Sequence, residues 1–299
     1  MRNAHRICFI VNKTAGAGRC EALFKRAEEI LNAHKADHVV HCTEYGGHAI
    51  KLTEQAVKDG EKFIVAVGGD GTVNEVSSVL CGIEGIAFGI LPFGTGNDVA
   101  RNAGLPLEIE KAVDTLLNGS LHNYDMGRAN GRPFINAGGF GFDVDVIINT
   151  EKHKKGGGGM LPYLLGIVDT LFNRKKIRAI IETKHERFEK EIMVAVVANG
   201  AQFGGGMRVA PDAKTDDGLF DGCLIEHVGL LSLLFLLPLF TKGKHLNKKP
   251  VLYFKTDYVR FETDSKYPIQ LDGEIVETTP VEYSIVKNAL SMVKPSAFV

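Results

Sequence analysis

Three apolar runs in the first hundred residues each stop at a glycine-bearing turn and continue into a helix-like segment: RICFIVN into KTAGAG, KFIVAV into GGDG, and IAFGILP into FGTG. The segments between them keep the alternation. CEALFKRAEEILNAH spaces its apolar residues for an amphipathic helix, VVHCTE (39–44) is strand-like, HAIKLTEQAVKDG (48–60) is a helix closed by Gly60, and TVNEVSSVLCG is a further helix. Strands separated by helices at this pitch build a parallel sheet with crossover helices, and such sheets bind ligands beyond the carboxyl ends of their strands. All three glycine turns fall at such ends.

From about residue 124 the pattern changes to short strands separated by turns: RPFINAGGFGFDVDV, KIRAIIET, ERFEKEIMVAVVANG, GLFDGCLIEHV, YVRFETD and YPIQLDGEIVE. Strands joined by turns indicate an antiparallel sandwich or barrel. The spacing predicts an α/β domain over 1–123, joined by the C-terminal segment 288–299, and a β domain over 124–287. Two helical segments interrupt the second region, one around MLPYLLGIVDTLFNRKKI behind the KHKKGGGG tract (152–159), the other GLLSLLFLLPLFTKGKH. A chain of 299 residues is long enough for two such domains.

With a formal net charge of −1 over 299 residues, global charge does not call for nucleic acid, which is not expected as a partner. The five cysteines, Cys8, Cys20, Cys42, Cys81 and Cys223, form no CxxC pair, which speaks against a zinc site or a disulfide framework and for reduced thiols in a cytoplasmic protein. No run reaches the roughly 18–20 apolar residues of a membrane span, and the N-terminus lacks a secretory pattern.

The turn GGDGTVNEV lacks the GK[ST] ending of a P-loop and the spacing of GxGxxG. By itself it reads equally as a tight turn with Asp70 or Thr72 capping the helix. The second turn, LPFGTGNDVARN, places Gly94, Thr95, Gly96, Asn97 and Asp98 in the same manner, and the first places Asn12 and Thr14 beside two glycines. Three such turns on one sheet edge point to a nucleotide site. A bare carboxylate about 4 Å from a phosphate oxygen costs on the order of 4 kcal/mol at an effective dielectric of about 20. A divalent cation between them reverses the sign, so Asp70 and Asp98 are candidate holders of Mg²⁺ with ATP, directly or through water.

GGDGTVNEV followed by LPFGTGNDVARNAGLP, then NAGGFGFD (136–143), VANGAQFGGGMRVAPDAKTDDGLFDG (197–222) and LDGE (271–274), resembles the diacylglycerol kinase and sphingosine kinase lipid-kinase family, in its soluble bacterial-type branch. The motifs cover nearly the whole chain in the family's order. GGDGT alone is shared with NAD kinases and phosphofructokinases. The resemblance implies an N-terminal α/β nucleotide-binding domain, a C-terminal antiparallel β-sandwich and an active site in the cleft between them. It implies ATP contacts at Asn12, Lys13, Thr14, Ala15 and Gly16, at Thr43, at Gly68, Gly69, Asp70, Gly71, Thr72, Val73 and Asn74, and at Thr95. Thr43 reads otherwise as a strand-end threonine. LDGE reads by itself as a hairpin with an Asp-Gly type I′ turn; the resemblance makes Asp272 the general base toward the acceptor hydroxyl, with Glu274 close by. KTDDGLFDG reads by itself as a solvated turn; the resemblance implies a second, structural Mg²⁺ held by the Asp217 carboxylate and the carbonyls of Lys214 and Leu219.

The run VGLLSLLFLLPLF (228–240), followed by TKGKHLNKK, is too short to span a bilayer. It reads as a helix buried on the sandwich or as an interfacial element whose leucines meet acyl chains under Lys242, Lys244, Lys248 and Lys249. KHKKGGGG and NRKK (173–176) add local positive charge. The expectation is an ATP- and Mg²⁺-dependent lipid kinase, cytoplasmic and transiently bound to the inner face of the membrane, acting on diacylglycerol to give phosphatidic acid. Other lipid acceptors, a soluble-substrate kinase of the NAD kinase type and a catalytically silent nucleotide- or membrane-binding protein remain open, as does a homodimer.

Overall fold

The computed structural model describes residues 6–153, 160–173 and 175–296. The first strands and helices are β1 (Ile7–Val11), α1 (Arg19–Ala33), β2 (His38–Cys42), α2 (His48–Lys58), β3 (Phe63–Gly68), α3 (Asp70–Leu80) and β4 (Ala87–Pro92). They form a parallel sheet in the order β4-β3-β1-β2. β1, β3 and β4 are buried at every residue because helices cover both faces, whereas the edge strand β2 is half-buried throughout. α1 turns Cys20, Phe24, Ala27 and Leu31 inward at helical spacing. It shares one face of the sheet with α5 (Ile109–Asn118), while α2 and α3 cover the other. A short helix, α4 (Asp98–Asn102), follows β4.

The second half contains β5 (Ser120–Ala129), β6 (Arg132–Phe134), β7 (Ala137–Gly141), α6 (Phe142–His153), α7 (Met160–Phe172), β8 (Ile177–Thr183), β9 (Arg187–Ala198), β10 (Phe220–Glu226), α8 (Leu230–Thr241), β11 (Val251–Thr256), β12 (Tyr258–Thr263), β13 (Pro268–Leu271), β14 (Glu274–Thr278) and β15 (Val281–Lys294). The antiparallel strands run β14-β13-β7-β9-β8-β12-β15, with β10 and β11 branching from β9, and β5 and β6 from β15. Phe134, Phe140, Phe220, Phe261 and Tyr283 meet in the interior of this half at centroid distances of 5.3 to 6.1 Å. β15 is long enough to serve both halves: Val281–Ser284 pairs with β12, and Ser291 and Met292 pair in parallel with Ala87 and Phe88 of β4.

One reading needs correction. FDVDV, taken as the end of a strand, begins α6. Its period-two alternation mimics a strand, but packing against α7 decides the outcome: Asn149 Nδ2 donates to Thr170 Oγ1 at 3.0 Å, and His153 meets Asp169 at 2.6 Å. α8 buries Leu233, Leu236 and Phe240 and leaves Leu231 and Phe235 exposed. Lys154, Lys155 and the glycine tract at 156–159, with Arg174 of NRKK, lie outside the described residues. Among the described residues no helix is long and apolar enough to cross a membrane.

Candidate active site

The ends of β1, β3 and β4 bring their three turns into direct contact. Asn12 donates its backbone N–H to Val67 O at 2.9 Å and its Nδ2 to Thr72 Oγ1 at 3.2 Å, while Asn12 Oδ1 accepts the Thr14 hydroxyl at 2.8 Å. Gly16, at φ 63°, lies where a Cβ would come 2.5 Å from Phe93 O. A Cβ on Gly94 would come 2.2 Å from Gly69 Cα, so these two turns meet backbone to backbone. Lys13 is exposed, 3.8 Å from Glu21, and Ala15 packs on the α1 side of the sheet. Thr43 continues the same edge from β2, donating its N–H to Val11 O at 2.8 Å. Thr95 is exposed at the tip of a turn that Asn97 pins through both N–H and C=O of Gly94.

Gly68 to Asn74 form the end of β3 and the first turn of α3, with Gly71 exposed and Thr72, Val73 and Asn74 buried. Neither Asp70 nor Thr72 caps α3: Gly69 holds the cap position without a side-chain bond. The Asp70 carboxylate instead accepts the N–H of Val99 at 3.1 Å, in the first turn of α4. Asp98 Oδ2 accepts the N–H of Gly205 at 2.8 Å, and its buried Oδ1 has no hydrogen-bond partner among the described residues. Burial pushes the Asp98 carboxyl up, the Gly205 amide opposes this, and the charge of Asp70 adds to it. Gly96 lies between the two acids, since a Cβ there would come 2.8 Å from Asp70 Oδ2 and 3.8 Å from Asp98 Oδ2. Among the described residues no cluster of three or more metal-ligating side chains occurs. Two adjacent carboxylates with an unpaired oxygen nonetheless fit Mg²⁺, which keeps waters and takes one or two carboxylates plus phosphate oxygens.

Asp272 reaches the same place from the other half. It occupies, with Gly273, a two-residue turn between β13 and β14 in which both φ angles are positive, 50° and 89°, as a type I′ turn requires. Its Oδ2 accepts the N–H of Ile135 at 2.8 Å, and its Oδ1 accepts those of Asn136 and Ala137 at 2.9 and 3.0 Å. Burial nevertheless outweighs these three amides and pushes the carboxyl up to about 6, with Asp70 contributing in the same direction. Oδ2 keeps a lone pair with which to take a proton. Glu274 is not brought to this group: its half-exposed carboxylate faces Arg132 at 3.4 Å.

Asp70, Asp98 and Asp272 line a cavity of about 380 Å³ whose remaining wall is largely apolar, including Phe142, Val146, Met193, Phe203, Leu233 and Phe240. Asn102, which drew no attention in the sequence, holds this region together. Its Nδ2 donates to Asn136 Oδ1 at 2.8 Å and Gln202 O at 2.9 Å, tying α4 to the β6–β7 connection and to the loop after β9. The ARN, NAGG and ANGAQ motifs thus meet at one asparagine; sequence reading found them as separate motifs because their contact spans 34 and 100 residues.

The 214–221 turn lies elsewhere. Asp217 Oδ1 accepts the N–H of Leu219 at 3.1 Å, and Asp217 Oδ2 faces Lys255 Nζ at 3.3 Å. The same ammonium reaches Asp221 Oδ2 and Asp212 O, each at 3.2 Å. Lys214 is exposed beside this turn. Behind it Asp125, almost fully buried, accepts the N–H groups of Gly218 and Asn288, both at 2.7 Å. Asp125 was not singled out in the sequence, where it sits among strand residues without a motif.

The diacylglycerol kinase catalytic domain model matches residues 6–129, and the model of the YegS C-terminal NAD kinase beta sandwich-like domain matches residues 137–294. A diacylglycerol kinase of Bacillus subtilis (strain 168) is 30% identical over 96% of this chain and 95% of its own length. One of Staphylococcus carnosus (strain TM300) is 29% identical over 99% of this chain and 96% of its own. A solved structure from Bacillus anthracis str. Sterne, 26% identical, superposes over 98% of this chain and 99% of that one with a TM-score of 0.83. Two domain matches that together span most of the chain, on a fold with a glycine-loop edge facing an apolar cavity, place it plainly: the chain belongs to the diacylglycerol kinase family of lipid kinases.

Proposed function

We propose that this lipid kinase transfers the γ-phosphoryl group of ATP to the free hydroxyl of diacylglycerol, giving phosphatidic acid. The observation that carries the reading is the cavity lined by Asp70, Asp98 and Asp272 beside a phosphate-type loop edge, with the rest of its wall largely apolar. A polar head and an apolar chain on one molecule match that division. The loops at Asn12–Gly16, Gly68–Asn74 and Thr95, with Thr43 beside them, receive the nucleotide. Bound Mg²⁺ would neutralise phosphate charge, and Asp70 and Asp98 would hold it. Asp272 takes the proton of the acceptor hydroxyl, a role worth about 10²–10⁴-fold; Glu274 contributes only through the surface of the same turn. A second Mg²⁺ on Asp217 with the carbonyls of Lys214 and Leu219 belongs to the same reading, although Lys255 already supplies that carboxylate with a cation.

The division into 1–123 plus 288–299 and 124–287 is part of the proposal and is supported by the parallel pairing of Ser291 with Ala87. The enzyme works from the cytoplasm as a peripheral visitor to the membrane, with the exposed face of α8 toward the lipid. The test is incubation of the purified protein with labelled ATP and Mg²⁺ and a panel of diacylglycerol, ceramide, sphingosine, phosphatidylglycerol and undecaprenol in mixed micelles. Label in diacylglycerol is the expected result; label in no lipid would overturn the reading.

A further inference from the structure

The turn that follows β2 carries an aromatic pair that the phosphoryl-transfer reading leaves unused. Tyr45 is 52% exposed, and its ring lies parallel to that of His48 at a centroid distance of 4.5 Å. The sequence YGGH makes the pair: the His48 N–H donates to Tyr45 O at 3.2 Å, and Gly47, at φ 82° and ψ −4°, takes the conformation that the third residue of a type II turn requires. The turn is held from two sides. Glu44 donates its N–H to His48 Nδ1 at 3.1 Å, and the Glu75 carboxylate of α3 accepts the N–H groups of Gly47 and Ala49 at 3.0 and 3.1 Å. Lys51 Nζ donates to the Tyr45 hydroxyl at 3.1 Å and stands 5.4 Å from the ring centroid, so its charge sits toward the hydroxyl end of the ring. With His48 on one face and Lys51 at the tip, the exposed surface of Tyr45 is its second face.

The strand order decides which part of a nucleotide can reach that face. The acceptor cavity meets the α/β half only at Asp70, Gly96, Asp98 and Val99, in the segments that follow β3 and β4. The transferred phosphoryl group therefore belongs there, and in an in-line displacement the rest of the nucleotide departs on the side opposite the acceptor. In the order β4-β3-β1-β2 that side is β1 and β2, because β4 has β15 and the second half as its other neighbour. Two to three strand spacings of about 4.8 Å, roughly 10–14 Å, separate the two acids from the turn after β2. A triphosphate and a ribose bridge such a span, so the part that arrives at the β2 turn is the base.

We propose that Tyr45, backed by His48, is a base-binding residue that stacks its free face on the nucleobase of the bound nucleoside triphosphate, a role that rests on the glycine-turn edge being the nucleotide site and specifies how the nucleoside is held there. An aromatic ring already stacked on one side is rigid and loses little freedom when a second ring covers the other. Every base offers a π-face to such a platform. It therefore selects a nucleotide over a bare polyphosphate, which the glycine turns and the acids would bind equally well without it.

The test compares the binding of ATP and of inorganic tripolyphosphate, both with Mg²⁺, by calorimetry. Tyr45→Ala should weaken ATP by roughly tenfold, the loss expected from one base–aromatic stack, and leave tripolyphosphate unchanged. Tyr45→Phe, which keeps the ring and loses the bond to Lys51, should bind ATP as the wild-type protein does. The chain has no tryptophan, so Tyr45→Trp installs a single reporter at the platform, and its emission should be quenched by ATP and not by tripolyphosphate. Equal losses for the two ligands in Tyr45→Ala would mark a merely structural role for the pair, and no loss for either would mark none; both overturn the proposal while leaving the nucleotide site in place. Should Tyr45→Ala not fold, the emission of Tyr45→Trp decides, and a response to ATP no different from that to tripolyphosphate overturns the proposal. A wild-type protein that binds neither ligand overturns the nucleotide reading itself, and the platform with it.

Discussion

Gly94 stands so close to Gly69 that a single methyl group on it would come 2.2 Å from the Gly69 Cα and 3.0 Å from its nitrogen. The two residues belong to turns that end β4 and β3, and their contact is backbone on backbone, with no side chain able to yield. Gly94→Ala must therefore push the turns apart. The expected outcome is a loss of about 1–3 kcal/mol of stability, as for other overpacked sites, and a larger loss of ATP affinity. Gly71→Ala, where nothing lies within 4 Å of the added methyl, is the control for the steric cost and should leave stability nearly unchanged. Thermal melts and calorimetric ATP titration of both variants check this.

If Asp272 is the base, it sets the pH dependence of the reaction. Its carboxyl is pushed up to about 6 by burial, so it is protonated and unable to accept a proton at lower pH. kcat/KM should rise as pH climbs through about 6 and level off above it. Asp272→Asn should lower kcat by about 10²–10⁴-fold with ATP affinity nearly unchanged. For stability the sign is opposite. A folded pKa raised above the ordinary carboxylate value means that the stability this group contributes is present below that value and is lost as pH rises through about 6. A pH–rate profile that is flat through this window would remove Asp272 from the role of base.

The α/β half was legible because its signals are local. Fully buried strands read as unbroken apolar runs, and each helix between them carries its own period. The LDGE turn was legible as a hairpin for the same reason, and the positive φ values of Asp272 and Gly273 match it. What gives that turn chemistry is not local: β13 pairs with β7, and only that register sets the Asp272 carboxylate on the amides of 135–137. FDVDV misled because alternating apolar and acidic residues suit a strand, and the helix that forms answers to α7, on the other side of a glycine tract. Lys255 could not be paired with Asp217 from sequence, since the partners are 38 residues apart and β10 and β11 must first align. Glu274, adjacent in sequence to the turn, is directed to Arg132 because successive strand residues face opposite ways.

The Lys255 ammonium is the local cation of the 212–221 turn. It meets Asp217 and the fully buried Asp221, whose remaining side-chain partner is the Tyr253 hydroxyl. Lys255→Met leaves a buried carboxylate short of a partner and should cost about 1–3 kcal/mol. If Asp217 and the nearby carbonyls suit a divalent ion, as the second Mg²⁺ requires, the variant's melting temperature should recover on adding Mg²⁺ or Ca²⁺ by more than that of the wild-type protein does. Equal responses in the two proteins would remove the second Mg²⁺ from this turn.

α8 presents its apolar residues in two directions. Leu233, Leu236 and Phe240 anchor it, while Leu231 is 84% exposed and Phe235 67% exposed. Lys248 and Lys249 line the shallow groove beside these two. Apolar side chains beside lysines suit a surface of anionic lipid, where each lysine adds roughly 1 kcal/mol. Burying a leucine or phenylalanine fully is worth about 1.5–3 kcal/mol, and partial insertion correspondingly less. Leu231→Ser with Phe235→Ser should therefore weaken cosedimentation with anionic vesicles by at least about tenfold and lower kcat/KM on vesicle-borne diacylglycerol to match. Because neither residue contributes to the buried face, the melting temperature and the rate on a short-chain, water-dispersed diacylglycerol should stay as in the wild-type protein. Vesicle binding that survives the double substitution would mean that the exposed face of α8 does not meet the membrane.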